Sequence, residues 1–482
     1  MTEYEAVIGI ETHVELQTNS KMFCGCAVDF NAEANTVVCP VCLALPGALP
    51  VPNASAIDGI LSIGAALSCE LVEHSLFHRK NYFYPDLPKN YQISQYDVPL
   101  CADGHIDIVA DGEPFRIGIT RVHMEEDTGK STHIGDDGRI RAASHSLLDF
   151  NRAGVPLVEI VTEPDIRTAE QARVYGAELQ MIVRTLGVSD ARLEEGSMRF
   201  DVNVSLRPVG QEEFGTRTEV KNVNSLRSMY RAIEFEIARQ TEVLDSGGTI
   251  VQETRHWNED SQRTTSMRSK EDSEDYRYFQ EPDLLPLHID AAWSARVYAA
   301  IPELPAIRRS RYLETGIDMV TAGVMVADAG LGELFDAAVA SGADPKQAAN
   351  WITGEVVANL RRTERQLADL PLSAEHLTQL DEMVSAGSLS ATAAKDVLGG
   401  VMDGEGSPEQ VAQSRDLLQI SDTGALTTEV NTVLADNEDA VDKMRSGDMK
   451  PLGFLVGQVM KATGGKADPR MVSELIRNSV KE

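Results

Sequence analysis

Near the start of the chain, the stretch Glu5–Leu16 (EAVIGIETHVEL) changes character at every second residue. In an extended backbone successive side chains point to opposite faces, so Ile8, Ile10, Val14 and Leu16 share one face with Thr12, while Glu11, His13 and Glu15 share the other. This predicts a half-buried strand whose second face is a row of oxygen and nitrogen ligands. The solvated outer face of an edge strand would give the same pattern. A second alternating stretch, SMRFDVNVSLRP, sets Phe200, Val202, Val204 and Leu206 opposite Arg199, Asp201, Asn203 and Ser205. A third, VPLVEIVTE, puts Glu159 and Glu163 on one face if the strand runs unbroken.

Helical periodicity appears first in TAEQARVYGAELQMIVRTLG. Thr168 followed three residues later by Gln171 fits a capping box, Ala172, Tyr175, Leu179, Ile182 and Leu186 form an apolar stripe, and Gly187 can close the helix. SLRSMYRAIEFEIARQTEVLDSGG is a second helix, ending at Gly247 and Gly248. Strands dominate up to about Asp290. Beyond it the pattern is almost wholly helical, through IPELPAIRRSRYLE, KQAANWITGEVVANLRRT and SAEHLTQLDEMVSAG. Glycines, acids and a proline from Gly399 to Pro408 make that stretch the candidate linker to a helical tail. The fold class is therefore α+β: a mixed or antiparallel-sheet domain, an all-α domain and a small α-helical tail.

With 482 residues, 42% of them apolar, the chain is long enough for about three globular domains. There is no apolar run of membrane-spanning length and no signal-like start, so a cytoplasmic protein is expected. Net charge is −31, from 44 Lys and Arg against 75 Asp and Glu, which disfavours nucleic acid on average. The last stretch differs: from Val441 to Glu482, eight basic residues face five acids. Chance drift over a short segment would give the same excess.

Four of the six cysteines fall as Cys24-x-Cys26 and Cys39-x-x-Cys42. Paired thiols on two close turns suit tetrahedral zinc, and a closed set of four sulfurs predicts a structural ion rather than a catalytic one. Cys69 and Cys101 read as ordinary buried thiols. Acids accumulate in RVHMEEDTGKS (His123, Glu125, Glu126, Asp127) and in DFNRAGVPLVEIVTEPD (Asp149, Asn151, Arg152, Glu159, Glu163). Set beside apolar strand residues, they would be expensive to bury unpaired, and convergence on a hard cation such as Mg²⁺ would remove that penalty. TGKST imitates the end of a phosphate-binding P-loop, but the required glycine is replaced by Met124. HRKNYFYPDLPKNYQISQYD interleaves Arg79, Lys80, Lys89, Tyr82, Phe83, Tyr84 and Tyr91. That mixture suits phosphate contact with stacking on an unpaired nucleotide end, or equally a loop-rich aromatic cluster.

Several blocks, GIETHVEL, RKNYFYPDLPKNYQISQYD, HMEEDTGKSTH, DFNRAGVPLVEIVTEPDI, EEGSMRFDVNVSLRP, EVKNVNS, DYRYFQEPDLLPL and GFLVGQVMKATGGKADP, resemble the B subunit of the bacterial aspartyl/glutamyl-tRNA(Asn/Gln) amidotransferase across nearly the whole chain. The resemblance implies a cradle domain over 1–293 with the zinc loop near 24–42, a helical domain over 294–405, and a tail over 406–482 that contacts tRNA. It implies ATP-dependent phosphorylation of the side-chain carboxylate of Glu-tRNA(Gln) or Asp-tRNA(Asn), followed by displacement of phosphate by ammonia. The ammonia comes from a glutaminase A subunit, with a small C subunit completing a heterotrimer. No Ser-Ser-Lys amidase signature occurs here, in keeping with an external ammonia source.

By the same resemblance, Glu11, His13, Glu126 and Glu159 occupy magnesium positions, although alternation alone does not choose between Glu125 and Glu126. Cys24, Cys26, Cys39 and Cys42 match a zinc site that some members keep. Arg79, Lys80, Tyr82, Lys89, Asn151, Arg152, Asp201, Asn203 and Lys221, with Asn222, fall in motifs expected to face substrate or ATP. Two readings compete with this one: a noncatalytic tRNA-binding scaffold and a metal-dependent hydrolase.

Overall fold

The computed structural model describes residues 3–135, 143–269, 276–419, 423–464 and 466–481. The chain divides into two compact units, residues 1–304 and 305–482. Among the described residues, nine strands of the first unit form one sheet. Their order is Arg263–Ser269, Glu253–Asn258, Thr218–Val223, Met198–Pro208, Tyr4–Glu15, Pro156–Thr162, Glu113–Glu126, Cys101–Ala110 and Glu70–Leu71. Neighbours are antiparallel except for the parallel pair Thr218–Val223 and Glu253–Asn258, so the sheet is mixed. The fold class is α+β, as the sequence predicts.

Tyr4–Glu15 is the middle strand of the nine, not an edge. Its apolar face is core: Ile8, Ile10, Thr12 and Val14 are all buried. Helices Ala54–Ala66, Ala169–Thr185 and Leu226–Asp245 contribute to the same core through Ile57, Ile60, Tyr175, Leu179, Met229 and Ile233. Thr12 belongs there because its hydroxyl meets the Tyr175 phenol at 3.4 Å.

The capping box forms as predicted, with Gln171 N–H donating to Thr168 Oγ1 at 3.1 Å, and Gly187 takes φ 66° just past the helix. Leu226–Asp245 carries an acid that its periodicity does not announce. Glu236, fully buried, accepts from Gln240 at 3.0 Å and Thr264 at 3.1 Å and is paired with Arg239.

The sheet-to-helix switch falls where the pattern places it, with Asp290 capping the helix Ala291–Ala300. In the second unit the stretch 345–363 is helical throughout but opens into a π-turn over Trp351–Val356. The candidate linker is helix at both ends, with a short turn over residues 403–407 between them. Gly399 and Gly400 sit inside Ala391–Met402, and Pro408 opens Pro408–Ser414 behind the N-cap Ser407. The reason is packing: a Cβ on Gly400 would lie 2.6 Å from Val411 Cγ1, so this glycine admits a close helix crossing rather than a flexible joint. Residues 426–480 then close a small core of their own around Leu426, Val430, Leu455, Val459, Val472 and Ile476.

Cys69 and Cys101 are buried, and burial pushes the Cys69 thiol up to about 12 and Cys101 well above the usual thiol range. The Cys101 side chain fills the space left by a glycine. A Cβ on Gly64 would fall 2.3 Å from Cys101 Sγ and 2.6 Å from its Cβ. Gly64→Ala is therefore expected to destabilise the first unit by about 1–3 kcal/mol, the usual penalty of overpacking. Chemical denaturation of the two proteins measures this; an equal midpoint and slope would show that the helix shifts without strain.

Candidate active site on the open face of the sheet

The polar face of the central strand is continued by its neighbours, because cross-strand register places like positions side by side. His13 lies opposite Glu159, and Glu159 opposite His123. On the other flank Glu11 lies opposite Asp201, and Asn203 opposite Glu219. Two clusters result. In the first, single ligand atoms of His13, Glu125 and Glu159 lie within 4.8 Å of one another; in the second, so do those of Glu11, Asp201 and Glu219.

The first cluster is nearly closed to solvent. His13 Nε2 is 3.5 Å from Glu159 and 3.7 Å from Glu125, and His123 Nε2 is 3.5 Å and 3.8 Å from the same two acids. Lys80 Nζ stands 3.6 Å from Glu125, which also accepts from Gln92 at 3.2 Å and Ser94 at 3.3 Å. Burial alone would raise the Glu125 carboxyl, but Lys80, His123 and His13 hold it well below the usual carboxylate range. Glu159 is likewise held low against its burial, chiefly by His123. Burial would lower His13, yet Glu159 and Glu125 keep it above the ordinary imidazole value. Arg121 Nε donates to His123 Nδ1 at 3.3 Å, which leaves the proton on Nε2 facing the acids. His123 is thus a donor to the carboxylates, and His13 faces the same two acids through its own Nε2.

In the second cluster Asn203 Nδ2 donates to Glu11 at 3.2 Å, and Lys221 Nζ donates to Asp201 at 3.0 Å and lies 3.3 Å from Glu219. Burial, Glu159, Glu219 and Asp201 together raise the Glu11 carboxyl. Lys221 and Lys80 both stay above the ordinary amine value despite burial, because acids surround them. They are therefore fixed cations, not bases. A cleft of about 500 Å³ opens over this face, lined among others by His13, Lys80, Tyr82, Glu125, Arg199, Asp201 and Lys221. Lower on the same strand, burial and the neighbouring Asp127 push Glu15 up to about 8.

Not every expected residue joins. Glu126 does not meet Glu11, His13 or Glu159, because the strand alternates: Glu126 shares the face of Val122 and Met124, accepts from the Ile93 N–H at 2.9 Å and is paired with Lys89. Glu125, one residue earlier, is the acid that reaches the cluster. Glu163 lies past the strand's end, exposed and accepting from Thr120 Oγ1 at 2.7 Å.

Arg79 is bound to buried Glu281 at 2.7 and 2.8 Å and stacks 4.1 Å over Tyr91, so it braces the loop instead of facing the cleft. Asn151 ties down the cysteine loop, accepting from Val37 N–H at 2.9 Å and donating to Glu33 O at 2.8 Å. Arg152 holds the Thr128 and Gly129 carbonyls at 3.0 Å each. The aromatic stretch forms short strands, with Phe83 and Tyr84 exposed and Tyr82 within 6.2 Å of Tyr276.

Glu219 is a member that the sequence patterns above do not single out, although Thr218 and Val220 as core positions put it on the same face as Lys221. Asn222, in that same strand, adopts φ 67° where one extra residue enters the ladder.

The four loop cysteines are free of disulfides, and their sulfurs all lie within 4.8 Å of one another, with Cys39 and Cys42 3.9 Å apart. A tetrahedron with Zn–S bonds of about 2.3 Å requires sulfur separations of about 3.8 Å, so the set fits that ion.

These elements lie within the span that a family model described as the GatB/GatE catalytic domain matches, residues 6–295; a second, described as the GatB domain, matches residues 333–480. Proteins named as the B subunit of aspartyl/glutamyl-tRNA(Asn/Gln) amidotransferase align along nearly their whole length. One from Carboxydothermus hydrogenoformans is 48% identical, covering 100% of this chain and 99% of that protein. One from Salinispora arenicola is 52% identical over 98% of this chain and 96% of its own length. One from Streptomyces avermitilis is 50% identical, with 99% and 95% covered. With both parts of the chain matched and identity near one half throughout, the chain belongs to the family of aspartyl/glutamyl-tRNA(Asn/Gln) amidotransferase B subunits.

Proposed function

We propose that the open sheet face phosphorylates the side-chain carboxylate of Glu-tRNA(Gln), Asp-tRNA(Asn) or both with ATP, and then lets ammonia displace the phosphate to give the amide. The observation that carries this reading is the pair of acid clusters held face-up on adjacent central strands. A carboxylate is a poor electrophile, and ammonia cannot expel oxide from it. Once its oxygen takes the terminal phosphoryl group and ADP leaves, attack of ammonia on the carbonyl carbon expels phosphate. Mg²⁺ held by His13, Glu125 and Glu159, or by Glu11, Asp201 and Glu219, would offset the charge spread over the phosphoryl oxygens. Lys80 and Lys221 orient the acids and add fixed positive charge, and His123 keeps Glu125 and Glu159 ionised. In this reading ammonia arrives from a glutaminase A subunit, a small C subunit completes a cytoplasmic heterotrimer, and the four cysteines hold a structural zinc.

A scaffold that only bound tRNA would not need the acids to converge. In the reconstituted three-subunit complex, Glu125→Gln and Glu159→Gln should lower tRNA-dependent ATP hydrolysis by roughly 100-fold or more while tRNA affinity stays within about twofold. Glu126→Gln should leave that hydrolysis within about tenfold of the wild type, since its carboxylate lies on the other face. Unchanged hydrolysis in the first two variants would leave the scaffold reading, and phosphate release without tRNA would favour a hydrolase.

The tail over 423–481 carries Lys443, Arg445, Lys450, Lys461, Lys466, Arg470 and Arg477 on its own small core. Truncation after residue 419 should weaken tRNA binding and flatten its dependence on salt concentration. A slope identical to that of the full chain would reduce the basic excess to chance drift.

A further inference from the structure

Lys21 is a cation that the proposed reaction does not use. The residue is fully buried, and among the described residues no carboxylate is paired with it; Glu126, which lines the same cavity, is taken by Lys89. Its ammonium donates to the Phe150 carbonyl at 3.3 Å and points at Cys42 Sγ at 3.8 Å. Its own N–H donates to the Cys26 carbonyl at 3.0 Å, so backbone and side chain grip both halves of the cysteine loop. Gly154 adjoins Lys21, Cys42 and Glu126 and takes φ 86°, a backbone conformation that favours glycine.

A buried ammonium that meets a carbonyl and a sulfur but is paired with no carboxylate is costly. Four thiolates around one Zn²⁺ leave a net charge of about −2, which is the missing anion. We propose that Lys21 is the resident counter-ion of the four-cysteine metal centre, hydrogen-bonded to Cys42 Sγ and setting how tightly the metal is kept. Lys21 lines the same cavity of about 250 Å³ as Cys24, Cys42, Lys89 and Glu126. Lys21 acts through the thiolates as a positioning residue. The inference stands apart from the phosphoryl-transfer reading, since it concerns only the loop.

The test uses the purified full chain loaded with Zn²⁺ and the variant Lys21→Met, which keeps the stem and removes the charge. Challenged with a chelator, the variant should release zinc roughly 10–100-fold faster, as expected when a partner of a metal ligand is lost. With Co²⁺ in place of Zn²⁺, the thiolate-to-metal charge-transfer band should move to longer wavelength, because an unneutralised sulfur is a better electron donor. A wild-type release rate with an unmoved band would overturn the proposal. Melting temperature supplies an independent check. Loaded with zinc, Lys21→Met should melt below the wild type; stripped of zinc, it should melt at or above it, since the ammonium then lacks its anion. Equal losses in both states, or failure to fold in both, would make Lys21 a packing element and refute the counter-ion role.

Discussion

Like charges crowded at low exposure repel one another, and the first unit is organised around that constraint. Glu11, Glu125, Glu159, Asp201 and Glu219 could not share one sheet face in isolation. Each acquires a compensating group from a neighbouring element: Lys80 from the short strand His78–Asn81, His123 from Glu113–Glu126, Lys221 from Thr218–Val223. The compensation is incomplete at Glu11, which burial and the neighbouring acids Glu159, Glu219 and Asp201 hold raised.

Rigidity comes from the opposite face. Ile8, Ile10, Thr12 and Val14 lock the central strand into the main core, and a strand buried on one side cannot slip by one residue without reversing both faces. The helices that cover that side need close approach, supplied by Gly64 against Cys101. Precision at the acids is thus a product of packing some distance away, and the four-cysteine loop is secured in the same manner by Asn151 and the Phe150 carbonyl.

Much of this was legible in the sequence because it follows from fixed periods. Alternation by two marks the acidic row of the central strand and the polar face of Met198–Pro208; period 3.6 with Thr168 and Gln171 marks the helix that seals the core; Cys-x-Cys and Cys-x-x-Cys mark the thiol quartet. What escaped depended on partners. Glu125 and Glu126 are adjacent, and only the register with Glu159 and the position of Lys89 separates them. Arg79 looks like a phosphate ligand until Glu281, about two hundred residues later, is seen to hold it. Gly399 and Gly400 suggest a linker to any local reading, because the residue that Gly400 presses against, Val411, lies beyond the window.

The extra residue at Asn222 has a wider meaning. Thr218, Val220 and Val223 are all core positions, so the interval lengthens from two to three across the irregularity. The ammonium of Lys221 meets Asp201 in the ordinary register that runs from the Val202–Val220 pair, and the extra residue just beyond it returns Val223 to the core opposite Phe200. Position of charge is therefore written there in the number of residues as much as in their identity, and single-residue insertions or deletions in this segment should be as tightly constrained as replacement of the lysine itself.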